Sequence, residues 1–213
     1  MPVLNGNYDK KKKTIKDIVK PFCLQKYQIL TIVERIEIAF SKGLSGDHDT
    51  YLYSPLKMLP THVTAVPDGT ERGRFVAIDL GGTNLRVLEI SVVEEKLKPS
   101  FICFTVPKLI MTGEGEALFD FIANCMDESF ETFGLKGTTI NYLGFTFSFP
   151  CNQLALNSAT LIRWTKGYSA TGVVGQDVVA LLRKACQKKG LPINDYILIN
   201  DTTGTLLCGG FEN

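Results

Sequence analysis

The hydrophobic pattern changes its period near residue 73, and that change restricts the chain to folds in which helices flank a sheet. Before it, apolar residues between 15 and 44 recur at helical intervals, among them Ile29, Ile32, Val33, Ile36, Ile38, Ala39 and Phe40. Gly43 supplies a stop, and Pro21 separates a short first helix from a longer second one. Residues 45–73 hold Pro55, Pro60, Pro67, Gly69 and Gly73, which reads as an extended connector with a turn at Pro67-Asp68-Gly69.

After residue 73 the signal is strand-like. Phe75-Val76-Ala77-Ile78 halts at Asp79, residues 86–93 form a second run and residues 101–106 a third. Their short links predict an antiparallel meander. A helix over 115–133, a strand over 142–147, a helix over 175–189 and a strand at Tyr196-Ile197-Leu198-Ile199 complete the series. The expected fold class is therefore α/β, a mixed sheet with helices on its faces.

Bulk properties narrow the function classes. The chain of 213 residues suffices for one domain and part of a second. A net charge of +1 gives no field for nucleic acid or a membrane surface, so an anion site must be built locally. No apolar run approaches the roughly 20 residues that cross a bilayer. The start, Met1-Pro2-Val3-Leu4, turns polar too soon for a signal peptide. Cysteines at 23, 103, 125, 151, 186 and 208 form no CxxC pair and read as small buried hydrophobes in a reducing compartment. A cytoplasmic location is the expectation. Lys10-Lys11-Lys12-Lys13 reads as a solvated terminus, and the sequon Asn200-Asp201-Thr202 follows a buried strand and is discounted.

Four segments carry chemistry. Asp79-Leu80-Gly81-Gly82-Thr83-Asn84 links two strands, and its glycines permit positive backbone dihedrals and close approach of a ligand. Successive N–H groups of such a turn converge on an anion, with Thr83, Asn84 and Arg86 as further donors. Asp79 is placed to hold a hydrated Mg²⁺ beside phosphates. The strand Leu143-Gly144-Phe145-Thr146-Phe147 leaves Ser148 at its end before Pro150. Trp164-Thr165-Lys166-Gly167 sets a hydroxyl and a cation beside the only Trp. Asn200-Asp201 puts a carboxylate at the carboxyl end of a strand, as an N-cap or as a general base. Gly113-Glu114-Gly115 also spells GxG, but its glutamates would repel a pyrophosphate, and it reads as a loop capping the next helix.

Taken in order, these segments resemble the hexokinase family from about Leu56 to the end, with Leu56-Lys57-Met58-Leu59-Pro60-Thr61 similar to the family's hinge-side lead-in. The resemblance implies the two-lobed, actin-like/ribonuclease-H-like sugar kinase fold. It implies a helical segment and connector of the larger lobe over residues 1–72, the small lobe over 73–201, and the start of a truncated larger lobe over 202–213. It also implies ATP-dependent phosphorylation of a hexose, glucose first, at the 6-hydroxyl, as the first step of glycolysis. Asp201 would be the base and Lys166 its catalytic neighbour. Ser148, Thr165, Lys166 and Asn200 would bind the sugar, and Asp79, Gly81, Gly82, Thr83, Asn84 and Arg86 would face ATP and Mg²⁺. The chain reads as truncated and inactive alone. A noncatalytic sugar sensor and an unrelated actin-like nucleotide-binding module are the alternatives; the oligomeric state is left open.

Overall fold

The computed structural model describes residues 14–93 and 96–212, so the lysine run at 10–13 lies outside the described residues. The chain divides into two compact units, Met1–Met58 and Leu59–Asn213.

The first unit is helical. Thr14 and Asp17 form a capping box at the start of α1 (Ile15–Val19), and a 3₁₀ turn over Lys20–Phe22 takes Pro21 where its missing N–H is harmless. The long helix α2 (Lys26–Gly43) follows. The expected connector contains a further short helix, α3 (His48–Tyr53), capped by Asp47, whose carboxylate accepts from the Thr50 N–H at 2.8 Å. Density of Pro and Gly around it hid that cap.

The second unit is built on a five-stranded sheet in the order β3-β2-β1-β4-β7. β1 (Gly73–Leu80), β2 (Asn84–Val93) and β3 (Lys96–Thr105) form the antiparallel meander. β3 starts earlier than expected because an edge strand tolerates Pro99, which cannot donate to a ladder. β4 (Ile140–Phe147) and β7 (Ile193–Ile199) add in parallel. A short hairpin of β5 (Cys151–Ala155) and β6 (Ser158–Leu161) stands apart.

One face of the sheet is dry. Val76, Ile78, Leu80, Leu85, Val87, Leu143, Phe145 and Phe147 pack with Leu118, Phe119, Ile122 and Met126 of α5 (Gly115–Thr132) and Val179 and Leu182 of α6 (Val178–Lys189). α6 starts at Val178 rather than 175 because Asp177 caps it, accepting from the Val179 and Ala180 N–H groups. The same carboxylate accepts from the Ser158 hydroxyl at 2.7 Å, tying the hairpin to the helix. A further short helix, α4 (Lys108–Thr112), precedes α5. Cys103 is a correction: its apolar neighbours suggested burial, but it lies exposed on the edge strand, as Cys23 and Cys208 are exposed elsewhere. Cys125 and Cys186 are buried as expected.

No described helix is long and apolar enough to cross a membrane.

Candidate functional site

Parallel pairing fixes where the chemistry-bearing residues lie. Leu80 pairs with Phe147, and Thr146 with Ile199, so the β1–β2 turn, the end of β4 and the end of β7 share one edge of the sheet. The residues after those strands are Gly81, Ser148 and Asn200. Strand ends of a mixed α/β sheet are where ligands bind, because helices cover the faces but not this edge.

The turn between β1 and β2 is tight. The Gly81 N–H donates to Asn84 O at 2.9 Å, and Thr83 O accepts from the Val106 N–H at 2.9 Å. Neither Gly81 nor Gly82 takes a positive φ, contrary to the sequence expectation. Packing does not require them either: a Cβ on Gly81 would come no nearer than 3.5 Å to Asn84 O, and one on Gly82 would lie 3.7 Å from Lys166 Cβ. Asp79 and Arg86 face each other across the β1–β2 ladder, with Arg86 Nη1 2.9 Å from Asp79 Oδ2.

Asp201 is the first residue of α7 (Asp201–Glu212). The capping role falls to Asn200, whose carbonyl accepts from the Gly204 N–H and whose Oδ1 accepts from the Thr202 N–H at 3.0 Å. The Asp201 carboxylate shares that N–H, accepting from it at 2.9 Å, and keeps 47% of its side chain exposed. Partial burial raises its pKa. The Ser148 hydroxyl bond, the Lys166 charge and the Thr202 N–H outweigh that, so the carboxyl sits below its usual 3.8. A negative charge at a helix N-terminus is favoured as well.

Lys166 joins the pieces. Its Nζ lies 3.5 Å from Asp201 Oδ2, its stem passes over Gly82, and its ammonium stands 5.9 Å from the centre of the Phe149 ring. Its backbone adopts φ 54°, a left-handed conformation that a side chain with a Cβ rarely takes. Thr165 precedes it, and Trp164 donates from Nε1 to Ala170 O at 2.8 Å while stacking on Tyr168. Ser148 is buried at the end of β4, and its hydroxyl is one of the groups that lower the Asp201 pKa.

The structure thus brings Ser148, Thr165, Lys166, Asn200 and Asp201 to the same edge as residues 79–86. The sequence reading missed Phe149, which packs edge-on against Trp164 and Tyr168 and lies under the Lys166 ammonium. The aromatic alternation Phe145, Phe147, Phe149 was visible, but not that its last ring turns toward the site. Among the described residues no group of three or more His, Cys, Asp or Glu could hold a metal ion. The single carboxylate Asp79, paired with Arg86, does not make a resident metal site.

A family model described as hexokinase matches residues 14–211. Hexokinase-3 of Rattus norvegicus is 40% identical over 203 residues, which are 95% of this chain and 21% of that protein. Hexokinase-2 of Equus caballus is 41% identical over 199 residues, 92% of this chain and 21% of the relative. The chain spans about a fifth of the length of these curated relatives. A solved hexokinase from Schistosoma mansoni, complexed with glucose, superposes with a TM-score of 0.75 at 40% identity, covering 93% of this chain and 44% of that one. A second crystal structure of a hexokinase gives a TM-score of 0.77 at 30% identity, covering 92% of this chain and 47% of the other.

Proposed function

The chain belongs to the hexokinase family and has its α/β sugar kinase fold, and from that premise we propose that it forms one wall of a cleft in which ATP phosphorylates a hexose at its 6-hydroxyl. Residues 73–201 are the small lobe of that cleft, and residues 1–72 and 202–213 belong with the larger lobe. The activity is that of the whole polypeptide carrying these residues, and it makes the phosphorylated hexose that opens glycolysis in the cytoplasm. Glucose is the first candidate, since a glucose complex is among the similar structures.

In this reading Ser148, Thr165, Lys166 and Asn200 hydrogen-bond the sugar and aim its 6-hydroxyl at the γ-phosphorus. Asp201 accepts the hydroxyl proton as the oxygen–phosphorus bond forms and the bond to the β-phosphate bridging oxygen breaks, releasing ADP. The backbone of residues 81–84 and the Arg86 guanidinium receive the phosphates. Asp79 would be the protein carboxylate beside an Mg²⁺ arriving with the nucleotide, and that ion would supply charge neutralisation on the phosphates. Phosphoryl transfer depends on such alignment and on fixed charge more than on covalent help. A low Asp201 pKa keeps the acceptor ionised throughout the neutral range, ready for a proton that leaves late in the step.

The observation that carries the proposal is the position of Lys166, whose stem would lie 3.7 Å from a Cβ placed on Gly82 of the phosphate turn while its amine stands 3.5 Å from Asp201. One side chain links the proton acceptor with the place where phosphate must lie. The test is a coupled assay of ADP release by the full polypeptide with glucose, mannose, fructose and no sugar. Hexose-dependent turnover that Asp201→Asn abolishes supports the assignment. Sugar binding with no turnover under any condition would leave a sensor in place of an enzyme.

A further inference from the structure

The loop that carries Lys166 is bound along one side to residues 111–115, which have no part in the sugar or phosphate assignments above. The Ser169 N–H donates to Met111 O at 2.9 Å, and the Thr171 N–H donates to Gly113 O at 2.9 Å. In return the Gly115 N–H donates to Thr171 O at 2.8 Å, and Glu114 and Thr171 pair as an isolated parallel bridge. Two segments that exchange backbone hydrogen bonds in both directions hold each other in register.

The contact has no room for a side chain. A Cβ on Gly115 would overlap Val173 Cγ2 and sit 2.7 Å from Thr171 O. Gly115 is also the first residue of α5, whose inner face is buried from Leu118 to Phe130, so the ladder is anchored to the core.

The segment it holds is not relaxed. Lys166 stands at φ 54°. Two residues on, the Tyr168 hydroxyl is buried without a hydrogen-bond partner among the described residues. A left-handed lysine and an orphaned buried hydroxyl persist only when the surroundings over-determine them. The surroundings here are the ladder on one side and the Trp164–Phe149–Tyr168 ring stack on the other.

We propose that residues 111–115, through Gly115, act as a positioning strap that holds the sugar loop in its strained form and so keeps the Lys166 amine beside Asp201. Only the kinetic consequence rests on the hexose kinase reading; the strap itself does not.

The test is Gly115→Ala in the full polypeptide, read in two ways. Trp164, the only Trp of these 213 residues, reports the loop without any turnover, its signal isolated by subtracting the emission of a Trp164→Phe counterpart. Its emission is expected to shift to the red and its anisotropy to fall. In turnover, kcat is expected to drop about 10²-fold, the scale of a 1 Å misplacement. The acid limb of the kcat profile should also move to higher pH, because the Lys166 charge no longer holds the Asp201 carboxyl down. A glycine needed only for folding would lower the melting temperature and leave the acid limb where it is. Unchanged Trp164 emission and an unchanged acid limb would overturn the strap and leave the kinase reading intact. If the wild-type protein shows no turnover, the kinase reading fails while the fluorescence still decides the strap. Amide exchange in the wild type covers a variant that does not fold. The Gly115 and Thr171 amides should be as protected as those of β4, and rapid exchange at both would overturn the inference.

Discussion

The Lys166 ammonium stands 3.5 Å from the Asp201 carboxylate, although the two residues are carried by different segments that meet only at the sheet edge. The pair is partly exposed, 40% for Lys166 and 47% for Asp201, so solvent screens it and its contribution to folding is small. Its consequences are chemical: with the Ser148 hydroxyl, it lowers the pKa of the carboxylate proposed as the base.

Asp201→Asn keeps the shape of the site and removes the proton acceptor. Turnover is expected to fall by about 10²–10⁴-fold, the range for a lost general base. Hexose affinity, followed by Trp164 fluorescence, should stay within about tenfold. Turnover near the wild-type value would remove Asp201 from the role of base.

The pH dependence follows from the sign of the Asp201 shift. Its folded pKa lies below 3.8, so its stabilising interactions are complete above the unfolded value and are lost as pH falls through the folded one. The acid limb of kcat/KM should therefore lie below the ordinary carboxylate range. Lys166→Met removes a cause of the depression and should move that limb upward. A pH–rate series on both proteins checks this, and no movement would mean that Lys166 does not govern the carboxylate.

Gly82→Ala separates fold from function. Neither φ nor packing demands glycine there, since an added Cβ meets Lys166 only at ordinary contact distance. Thermal stability is expected to change by no more than about 0.5 kcal/mol. The KM for ATP should rise about tenfold or more, as expected for one lost close contact. A variant with unaltered ATP kinetics would mean that no phosphate comes near this glycine.

Asp177→Ala should destabilise the fold by about 1–2 kcal/mol, because one carboxylate caps α6 and also holds the Ser158 hydroxyl. Urea unfolding measures this, and a cost near zero would show that the cap is dispensable.

Thiol chemistry should sort the cysteines by burial. Desolvation pushes Cys125 and Cys151 up to about 12 and Cys186 up to about 11, whereas Cys23, Cys103 and Cys208 are exposed. At pH 8 the last three should label rapidly and the first three only on unfolding. Rapid labelling of Cys186 in the native protein would contradict its burial.

Much of this was legible in the residues. The meander, the long helices and the last strand follow from a hydrophobic period that switches between 3.6 and 2, and the Asp79–Asn84 turn announces itself by composition. The short helices α3 and α4 were not legible, because five or six residues carry too little periodicity to stand against neighbouring prolines. Cys103 was misread because an apolar run does not reveal which strand becomes the edge.

The sequence by itself determined the five strands of the main sheet, though not the β5–β6 hairpin, and which polar groups stand where β1, β4 and β7 stop. That information is local, since dihedral preference and apolar period act over a few residues. Only the tertiary structure decided that Asn200 takes the cap, that the Lys166 amine stands beside Asp201, and that residues 111–115 exchange hydrogen bonds with residues 169–171. These depend on strand order and parallel register, which are fixed by burying one common face against α5 and α6, and no local stretch of the chain encodes that packing.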